Sequence, residues 1–512
     1  MIKQESFKGA PLVLLTLSLS LGIFMNVLDV SIANVAIPTI AGDLGVSADQ
    51  GTWVITSFSV STAIMLPLTG WLARRFGEVK LFLFSTALFT IASLLCGLSE
   101  NLTMLIFFRV IQGAVAGPMI PLSQSLLLAA YPEDKKGFAT SLWAMTAVVA
   151  PICGPVIGGW ITDNYTWPWI FWINIPVGFF SVLVTAIILT GHETTITKSP
   201  IDITGLMLLI IGVGCLQVLL DQGHDLDWFN SNIIVALAII SFISLIFLVV
   251  WELTDNHPII DLTLFTGRNF AIGALSLSLG FTVYFGNVVI FPLWLQTQMG
   301  YTPTWAGLAA APVGIFPVLF TPIIGLLINK VDLRILISIG FIAFALSSFW
   351  SANYDTNISY IKLIEPRLLQ GVGLAFFFTP LISIVIAGQP RERIASALGL
   401  ANFLRILGGS FGTSISVTMW DNHEAFHHER LAEQINHFNP ITNDVLQQLQ
   451  QIGFDPLAAY GVIVRMITNQ AFMLSTDDLF WLSGWIFIGL LAIIWFTKPP
   501  FTSKMKGPVV AD

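Results

Sequence analysis

The sequence predicts an all-α membrane protein whose fourteen spanning helices form two six-helix bundles plus two inserted helices. Three observations support this prediction. The chain is strongly apolar, with 55% hydrophobic and 10% charged residues, whereas a soluble domain carries about 25% charged residues. Apolar segments long enough to cross a bilayer recur along nearly all of its 512 residues. The first part of the chain also repeats in the last part at a constant spacing.

The spanning segments follow from length and composition. A helix needs about 20 mostly apolar residues to cross the hydrocarbon core of a bilayer. Segments close to this length occur at 12–38, 52–73, 79–98, 102–128, 137–162, 168–190, 204–220, 229–251, 269–297, 304–328, 333–352, 363–387, 394–420 and 479–497. The first segment lacks the small-residue cleavage site of a signal peptide, so we expect it to remain as a spanning helix.

The basic residues predict the orientation in the membrane. If both termini lie in the cytoplasm, 16 of the 22 Lys and Arg residues fall on the cytoplasmic side and 3 on the outer side. Cytoplasmic loops of membrane proteins carry such an excess of basic residues. We therefore expect a multi-pass protein with both termini in the cytoplasm. The basic residues form no stripe interleaved with aromatic residues, so we expect no nucleic-acid partner.

An internal repeat predicts the domain organisation. RVIQG at 109–113 is answered by RLLQG at 367–371, and SLSLG at 18–22 recurs at 276–280, both 258 residues later. Two parallel six-helix halves around a site near the bilayer midplane are the architecture of one large class of transporters. The predicted domains are an N-terminal bundle at 1–190, a two-helix insert at 191–262 and a C-terminal bundle at 263–512.

One connecting segment, 421–477, is much longer than the others and is predicted to lie on the outer side. Connections of this length without a role are uncommon. Apolar residues in its second part recur at helical spacing, which favours a solvated helical cap or a docking surface. His423 and His427 stand four residues apart, with His428 beside them, a spacing that zinc can use. No cysteine or second pair of ligands accompanies them, so we expect no metal site.

Several motifs resemble those of the major facilitator superfamily. GWLARRFGEVKL at 70–81 and LIFFRVIQGAVAG at 105–117 resemble its motifs after the second span and in the fourth span. GPVIGG at 154–159 resembles a fifth-span motif of drug/proton antiporters. LDVSIANVAIP at 28–38 and WPWIFWINIPVG at 167–178 are similar to motifs of the fourteen-span drug:proton antiporter family 2.

This resemblance implies the major facilitator fold and a proton-driven multidrug antiporter that exports lipophilic compounds by alternating access, without a cofactor. It also implies a place in the bacterial inner membrane, as part of a tripartite pump with a periplasmic membrane-fusion adaptor and an outer-membrane channel. An exporter of a lipid or an endogenous solute with the same fold remains an alternative.

Other classes of function are less consistent with the sequence. No Walker sequence occurs, which argues against ATP as the energy source. The spans contain no cluster of histidines, which a membrane-embedded enzyme would need, so we expect no enzymatic activity. A channel would not need a single titratable pair inside its spans, such as Asp29 and Arg109.

The motif residues have structural and functional interpretations. Gly113, Gly154, Pro155, Gly158 and Gly159 allow close helix approach or bending, as an antiporter hinge or simply as tight packing. The loop residues Gly70, Arg74, Arg75, Gly77 and Lys80 form a cytoplasmic latch or merely anchor the topology. The superfamily pattern usually has an acid at the position of Arg74, so the resemblance does not extend to a salt bridge within this loop.

Asp29 lies inside the first span, where an ionised side chain costs about 2.5–3.5 kcal/mol on insertion scales. At about 1.5 Å per residue, it lies roughly 14 Å from the outer end of its span, and Arg109 lies roughly 10 Å from the outer end of the fourth span. We expect these two residues to pair, either as a structural ion pair or as a proton-coupling site. Burial disfavours the charged carboxylate and the guanidinium favours it, so such a group can load and release protons. The repeat-related position holds Asn287.

Polar residues inside other spans predict where a substrate binds. The candidates are Asn34, Gln112, Asn287, Arg367, Gln370 and Arg405. If Arg109 holds Asp29, no deeply buried carboxylate remains to pair with a cationic drug, whereas guanidinium groups can meet an anionic oxygen. We therefore expect lipophilic weak acids or neutral molecules as substrates. The alternative is that Arg367 and Arg405 bond to helix carbonyls and face no cavity.

Overall fold

The computed structural model describes residues 7–132, 135–194, 196, 202–255, 258–328, 330–433, 435, 436, 438–499 and 501. These residues contain helices and no β-strand. Fourteen of the described helices are long and apolar enough to cross a membrane. The predicted all-α membrane fold is therefore confirmed.

The spans are numbered here in chain order. They are Ala10–Asp43 (span 1), Trp53–Phe76 (2), Glu78–Gly97 (3), Leu102–Ala130 (4), Lys136–Asn164 (5), Trp169–Trp172 with Asn174–Leu189 (6), Ile203–Gln222 (7), Asn232–Thr254 (8), Arg268–Thr297 (9), Pro303–Ala310 with Ile315–Leu327 (10), Leu333–Ser351 (11), Tyr360–Ile386 (12), Arg391–Ala432 (13) and Pro456–Ile494 (14). Shorter helices are Ala48–Gly51, Trp228–Asn230, Leu262–Thr266, Ala311–Gly314 and Pro440–Gln451.

Polar residues just before several spans explain where those helices begin. The Asn101 side chain accepts a hydrogen bond from the Met104 N–H at the start of span 4. Asp202 caps span 7 in the same way. Such caps satisfy backbone donors that have no partner inside the helix. Between spans 2 and 3 the chain reverses at Gly77, whose φ of 90° is readily adopted only by glycine.

The two bundles are built alike around small residues. A Cβ on Gly154 of span 5 would lie 2.2 Å from Ser31 Oγ of span 1. The repeat-related Gly412 of span 13 meets span 9 in the same way, because its Cβ would lie 1.9 Å from the Thr282 carbonyl oxygen. Glycine therefore sets the same close contact between the first and fifth helices of each bundle.

Spans 2 and 13 join the bundles near the loop between spans 2 and 3. The Arg74 Nη1 atom donates a hydrogen bond of 2.9 Å to Ser396 Oγ. A Cβ on Gly70 would lie 2.0 Å from the same oxygen, so this contact requires glycine. Spans 5 and 10 close the opposite edge, where the Gly137 position lies against the carbonyl of Gly325. The two bundles are therefore in contact through spans 2 and 13 and through spans 5 and 10.

Span 7 of the two-helix insert packs against both bundles. Gln222 of span 7 donates to Thr52 Oγ1, beside span 2, at 3.3 Å. Gln217 of the same helix donates to Ser410 Oγ of span 13 at 2.9 Å. Trp228, just after span 7, donates to Thr418 Oγ1 of span 13 at 2.8 Å. Span 7 therefore lies across the junction of spans 2 and 13.

The long segment 421–477 is largely helical in its described part. Span 13 continues past Trp420 to Ala432, and span 14 begins at Pro456, with the helix Pro440–Gln451 between them. The two long helices are tied together where they leave the bundle. Trp420 Nε1 donates to Thr476 Oγ1 at 2.8 Å, and Ser475 Oγ donates to the Trp420 carbonyl oxygen at 2.6 Å.

Candidate functional site

The predicted pairing of Asp29 with Arg109 is present in the core of the N-terminal bundle. Arg109 Nη1 donates to Asp29 Oδ2. Asp29 is 2% exposed and Arg109 is fully buried. Two amides complete the carboxylate shell, since Asn174 Nδ2 and Gln112 Nε2 donate to Asp29 Oδ1 at 2.8 and 3.1 Å. The carboxylate therefore accepts hydrogen bonds from spans 4 and 6 while it is carried by span 1.

The guanidinium of Arg109 is held by several groups besides the carboxylate. Its Nε donates to the Val54 carbonyl oxygen at 2.9 Å, and Nη1 also donates to Gln112 Oε1 at 2.7 Å. The guanidinium carbon lies 4.3 Å from the centre of the Phe58 ring. Nη2 has no hydrogen-bond partner among the described residues. Ring contact and ion pairing offset the cost of burying this cation.

Two residues of this network were not identified from the sequence. Asn174 also donates to Ser93 Oγ at 2.9 Å, and Ser93 donates to the Phe171 carbonyl oxygen at 2.8 Å. Asn174 interrupts the apolar run of span 6, which was a signal that it needs a partner. Ser93 carried no such signal, because a hydroxyl in a helix can bond to its own backbone.

The C-terminal bundle repeats half of this network. Arg367 Nη1 donates to Gln370 Oε1 at 2.9 Å, as Arg109 does to Gln112. Its guanidinium carbon lies 4.4 Å from the centre of the Phe291 ring, and Nη2 donates to Ser351 Oγ at 2.5 Å. No carboxylate oxygen of the described residues lies within ion-pair distance of Arg367. The two bundles thus carry the same buried Arg–Gln pair, and only the first includes an acid.

The remaining predicted substrate residues are dispersed. Asn287 is buried, and its amide oxygen accepts a hydrogen bond of 3.0 Å from Ser483. It stands at the position that corresponds to Asp29, and as a neutral amide it cannot form an ion pair. Asn34 is exposed on span 1. Gln112 is engaged by Asp29 and Arg109, and Gln370 by Arg367. The geometry separates the buried Asp29–Arg109 network from the exposed Asn34.

Arg405 differs from Arg109 and Arg367 because it is partly exposed. Its Nε donates to Asn402 Oδ1 at 3.1 Å, and its guanidinium carbon lies 5.1 Å from the centre of the Phe281 ring. It has no carboxylate partner among the described residues. The Phe378 ring beside it lies 5.9 Å from the Trp143 ring of the other bundle. Arg405 therefore lies among aromatic rings where the two bundles meet.

The glycines of the helix motifs have different surroundings. A Cβ on Gly113 would lie 2.4 Å from the Phe58 carbonyl oxygen of span 2, and one on Gly158 would lie 3.3 Å from Ile32 of span 1. A Cβ on Gly159 would meet no atom within 4 Å. The backbone of Pro155 is helical, and its side chain lies outside what the structure describes.

The loop motif is capped by an acid from elsewhere in the chain. Glu193, after span 6, accepts hydrogen bonds from the N–H groups of Val79 and Lys80 at 3.0 and 2.9 Å. The position of a Cβ on Gly77 would be 2.3 Å from this side chain. The guanidinium carbon of Arg75 lies 5.4 Å from the centre of the Trp71 ring. Glu193 therefore anchors the first turn of span 3 to the end of the N-terminal bundle.

An apolar cleft of about 390 Å³ lies where spans 5 and 10 meet. It is lined by Val149, Ala311, Gly314, Ile315, Val318 and Leu319. None of the predicted polar substrate residues lines it. Its lining suits the apolar part of a ligand.

Comparison with known families assigns this fold. The model described as Major Facilitator Superfamily matches residues 19–413, which is most of the chain. The chain belongs to the major facilitator superfamily. Members of this superfamily are transporters rather than enzymes, and fourteen described helices are long and apolar enough to make this one a multi-pass membrane transporter.

Two curated relatives match over nearly their whole length. The multidrug export protein EmrB of Haemophilus influenzae is 54% identical, over 98% of this chain and 99% of the relative. The fatty acid resistance protein FarB of Neisseria gonorrhoeae is 49% identical, also over 98% and 99%. The resemblance drawn from the motifs is thereby confirmed.

A solved structure of the proton:xylose symporter XylE has the same fold. It matches with a TM-score of 0.60 and 16% identity, over 96% of both chains. At this identity the likeness concerns the fold alone. It confirms the two-bundle major facilitator architecture predicted from the internal repeat.

Proposed function

We propose that this protein is a proton-driven multidrug antiporter that exports lipophilic compounds, chiefly weak acids, by alternating access. The observation that carries the proposal is the buried Asp29–Arg109 pair, which among the described residues occurs in only one of the two repeated bundles. The similarity of the chain to a multidrug export protein supports the proposed substrate class.

The coupling step follows from the chemistry of the pair. A proton that binds Asp29 cancels the negative charge that holds Arg109. Asp29 is only 2% exposed, so a proton needs a change of conformation to reach or leave it. Exchange of the proton is therefore tied to movement of the spans that surround the carboxylate. Arg367, the counterpart of Arg109, has no acid to play this part.

Transport into membrane vesicles tests the function. Everted vesicles that contain the protein should accumulate a lipophilic weak acid, added at a concentration too low to collapse the gradient, when the interior is acidified. They should lose it when the pH gradient is dissipated. Accumulation that persists without a gradient would contradict antiport. Accumulation of a phospholipid analogue or an amino acid, with no drug transport, would favour the lipid or endogenous-solute alternative.

Arg405 is the residue proposed to meet the acidic group of a substrate. It is charged, partly exposed and without a carboxylate partner among the described residues, and aromatic rings surround it. A charge-assisted hydrogen bond contributes about 1.5–3 kcal/mol. The name of the relative FarB refers to fatty acids, which are lipophilic acids.

We expect Arg405→Ala to weaken export of weakly acidic uncouplers on the order of ten- to hundredfold, with little effect on neutral drugs. Arg405→Lys should retain part of the activity because it keeps the charge. The measurement is efflux from cells that lack other pumps. Lys330→Ala is the control, because Lys330 is an exposed cation between spans 10 and 11, outside segment 421–477. Good export of quaternary ammonium dyes together with poor export of the acids would refute this assignment.

The partners and orientation follow the same proposal. Both termini lie in the cytoplasm, and the helical segment 421–477 lies in the periplasm. There it docks a membrane-fusion adaptor of the EmrA type, which leads to an outer-membrane channel of the TolC type. Four apolar side chains of this segment are strongly exposed, namely Phe438, Ile441, Ile452 and Leu457. Exposed apolar groups of this kind in the segment beyond the bundle favour a protein partner.

Changing these four residues together to Ser should leave vesicle transport unchanged and reduce drug efflux from intact cells. The reason is that only export across both membranes needs the adaptor. Photo-crosslinkers at the four positions should capture the adaptor in cells. A crosslinker at Ile187, which is 70% exposed on a span, is the control. The docking proposal is wrong if no position in the segment captures an adaptor.

A further inference from the structure

Three potential metal ligands converge where spans 13 and 14 extend beyond the bundle. His423 Nδ1 and His427 Nε2 lie 3.0 and 2.8 Å from the same atom, Asp478 Oδ2. One ligand atom from each of the three residues lies within 4.8 Å of the other two. None of the three side chains is fully buried, so an ion can reach them from solvent.

The geometry of the two helices explains the convergence. His423 and His427 are four residues apart, so they lie one above the other on the same face of span 13. They present different nitrogens, Nδ1 from the first turn and Nε2 from the next, toward one point. Asp478 faces that point from span 14. No metal site was expected from the sequence because no cysteine or second ligand pair accompanies the histidines, and the third ligand, Asp478, is 51 residues from His427.

The packing just below the cluster holds the two helices in register. The hydrogen bonds between Trp420 and Thr476 and between Ser475 and Trp420 lie close to the cluster in sequence. The Trp420 and Phe472 rings are 4.4 Å apart. The ligands are thus carried by two helices whose relative position is already fixed, which lowers the cost of assembling a metal site.

We propose that His423, His427 and Asp478 bind a divalent transition-metal ion, for which Zn²⁺ is the best-suited probe. Two imidazoles and one carboxylate form a known ligand set for zinc, with water in the fourth position. Bonds of about 2.0–2.2 Å in a tetrahedron place ligand atoms roughly 3.3 Å apart. The observed separations of 2.8 and 3.0 Å need to widen by only a few tenths of an ångström.

The ligand types distinguish this site from one for a hard cation. Mg²⁺ and Ca²⁺ prefer oxygen ligands, and here two of the three are nitrogen. Hydrogen bonding alone would also join the histidines to Asp478. Such an exposed pair contributes little, because solvent screens it. A bound metal ion would instead clamp the extensions of spans 13 and 14 together, independently of transport.

The test uses the full-length protein, purified in detergent with a tag that contains no histidine and stripped with a chelator. Titration with Co²⁺ should give visible absorption bands that saturate at one ion per chain, and Zn²⁺ should displace them. Asp478→Asn and His423→Ala should weaken binding at least tenfold, since even outer-shell partners of a metal contribute roughly 10–100-fold. His428→Ala should bind as the wild type does, because His428 is not one of the three ligands.

His427→Gln separates metal binding from hydrogen bonding, because glutamine can still donate to Asp478. We expect it to elute as a monodisperse protein and to lose the cobalt bands. Zn²⁺ should raise the unfolding temperature of the wild type and of His428→Ala, and not that of His427→Gln. The proposal is overturned if the wild type shows no saturable cobalt bands. It is also overturned if His427→Gln or Asp478→Asn binds as tightly as the wild type.

Discussion

Asp29→Asn should abolish export driven by a pH gradient while the protein stays inserted in the membrane. Asparagine has nearly the same shape as aspartate but cannot bind or release a proton near neutral pH. Its side-chain oxygen can still accept from Asn174 and Gln112, the two amides that contact Asp29. Arg109 also keeps its bonds to Val54 and Gln112, so the loss of the ion pair leaves the cation partly satisfied.

Vesicle transport and substrate exchange together test this prediction. With a pH gradient, Asp29→Asn vesicles should accumulate no substrate. Without a gradient, exchange of labelled for unlabelled substrate should persist, because exchange needs substrate binding and movement but no proton. Glu365→Gln is the control, since Glu365 is an exposed acid on span 12. Gradient-driven accumulation by Asp29→Asn would show that protons couple elsewhere.

Arg109→Ala should have the larger effect on stability. It removes the only cation that contacts the Asp29 carboxylate among the described residues, and both side chains are almost completely buried. Breaking a buried ion pair by removal of one partner costs about 3–5 kcal/mol. It also leaves a cavity against Phe58, whose ring Arg109 covers. We expect low yields of monodisperse protein, a lower unfolding temperature and no coupled transport.

A double variant separates the charge from the cavity. Asp29→Asn combined with Arg109→Ala should be more stable than Arg109→Ala alone, because no unpaired carboxylate remains. The coupling free energy from this double-mutant cycle measures the interaction of the two side chains. Unfolding can be followed by size-exclusion chromatography after heating in detergent. If the losses of stability of the two single variants simply add in the double variant, Asp29 and Arg109 do not stabilise each other. The interpretation of the pair as an ion pair that stabilises the fold then fails.

The proposal that protons bind in the N-terminal bundle depends on which parts of the Asp29–Arg109 network recur in the C-terminal bundle. The Arg–Gln pair occurs in both bundles with the same hydrogen bond, at 2.7 and 2.9 Å. In both bundles the bond joins residues three apart on the fourth helix, so helix geometry and the repeated motif account for it. Among the described residues, the acid and its second amide donor Asn174 occur around the first pair only, whereas Ser351, 258 residues after Ser93, bonds to the arginine of the second pair. Proton exchange is therefore expected to belong to the N-terminal bundle.

Which of the candidate residues join the Asp29–Arg109 network was not predictable from the sequence. Gln112 was a candidate for substrate binding, and the fold places it inside the ion-pair network. From the sequence, Arg367 lies near the outer end of the twelfth span and Arg405 deeper in the thirteenth, and both were candidates for substrate binding. In the structure Arg367 is buried at 3% exposure, while Arg405 is partly exposed among aromatic rings. Exposure depends on the rotation of each helix about its axis, which apolar content does not specify.

The sequence by itself determined the features that depend on local patterns. Apolar length specified the fourteen spans, and the constant offset of repeated motifs specified two related bundles. An acid inside an apolar run marked Asp29, and similar depth marked Arg109 as its partner. These inferences need only the rise of a helix per residue and the cost of a charge in a bilayer.

Only the tertiary structure decided which distant groups share a site. Asn174 reaches Asp29 across 145 residues of chain, and Asp478 reaches His427 across 51. Glu193 caps the start of span 3 from beyond span 6. Each of these contacts depends on how whole helices pack and rotate against one another. Because side-chain packing between helices sets those angles, no local pattern in the sequence contains them.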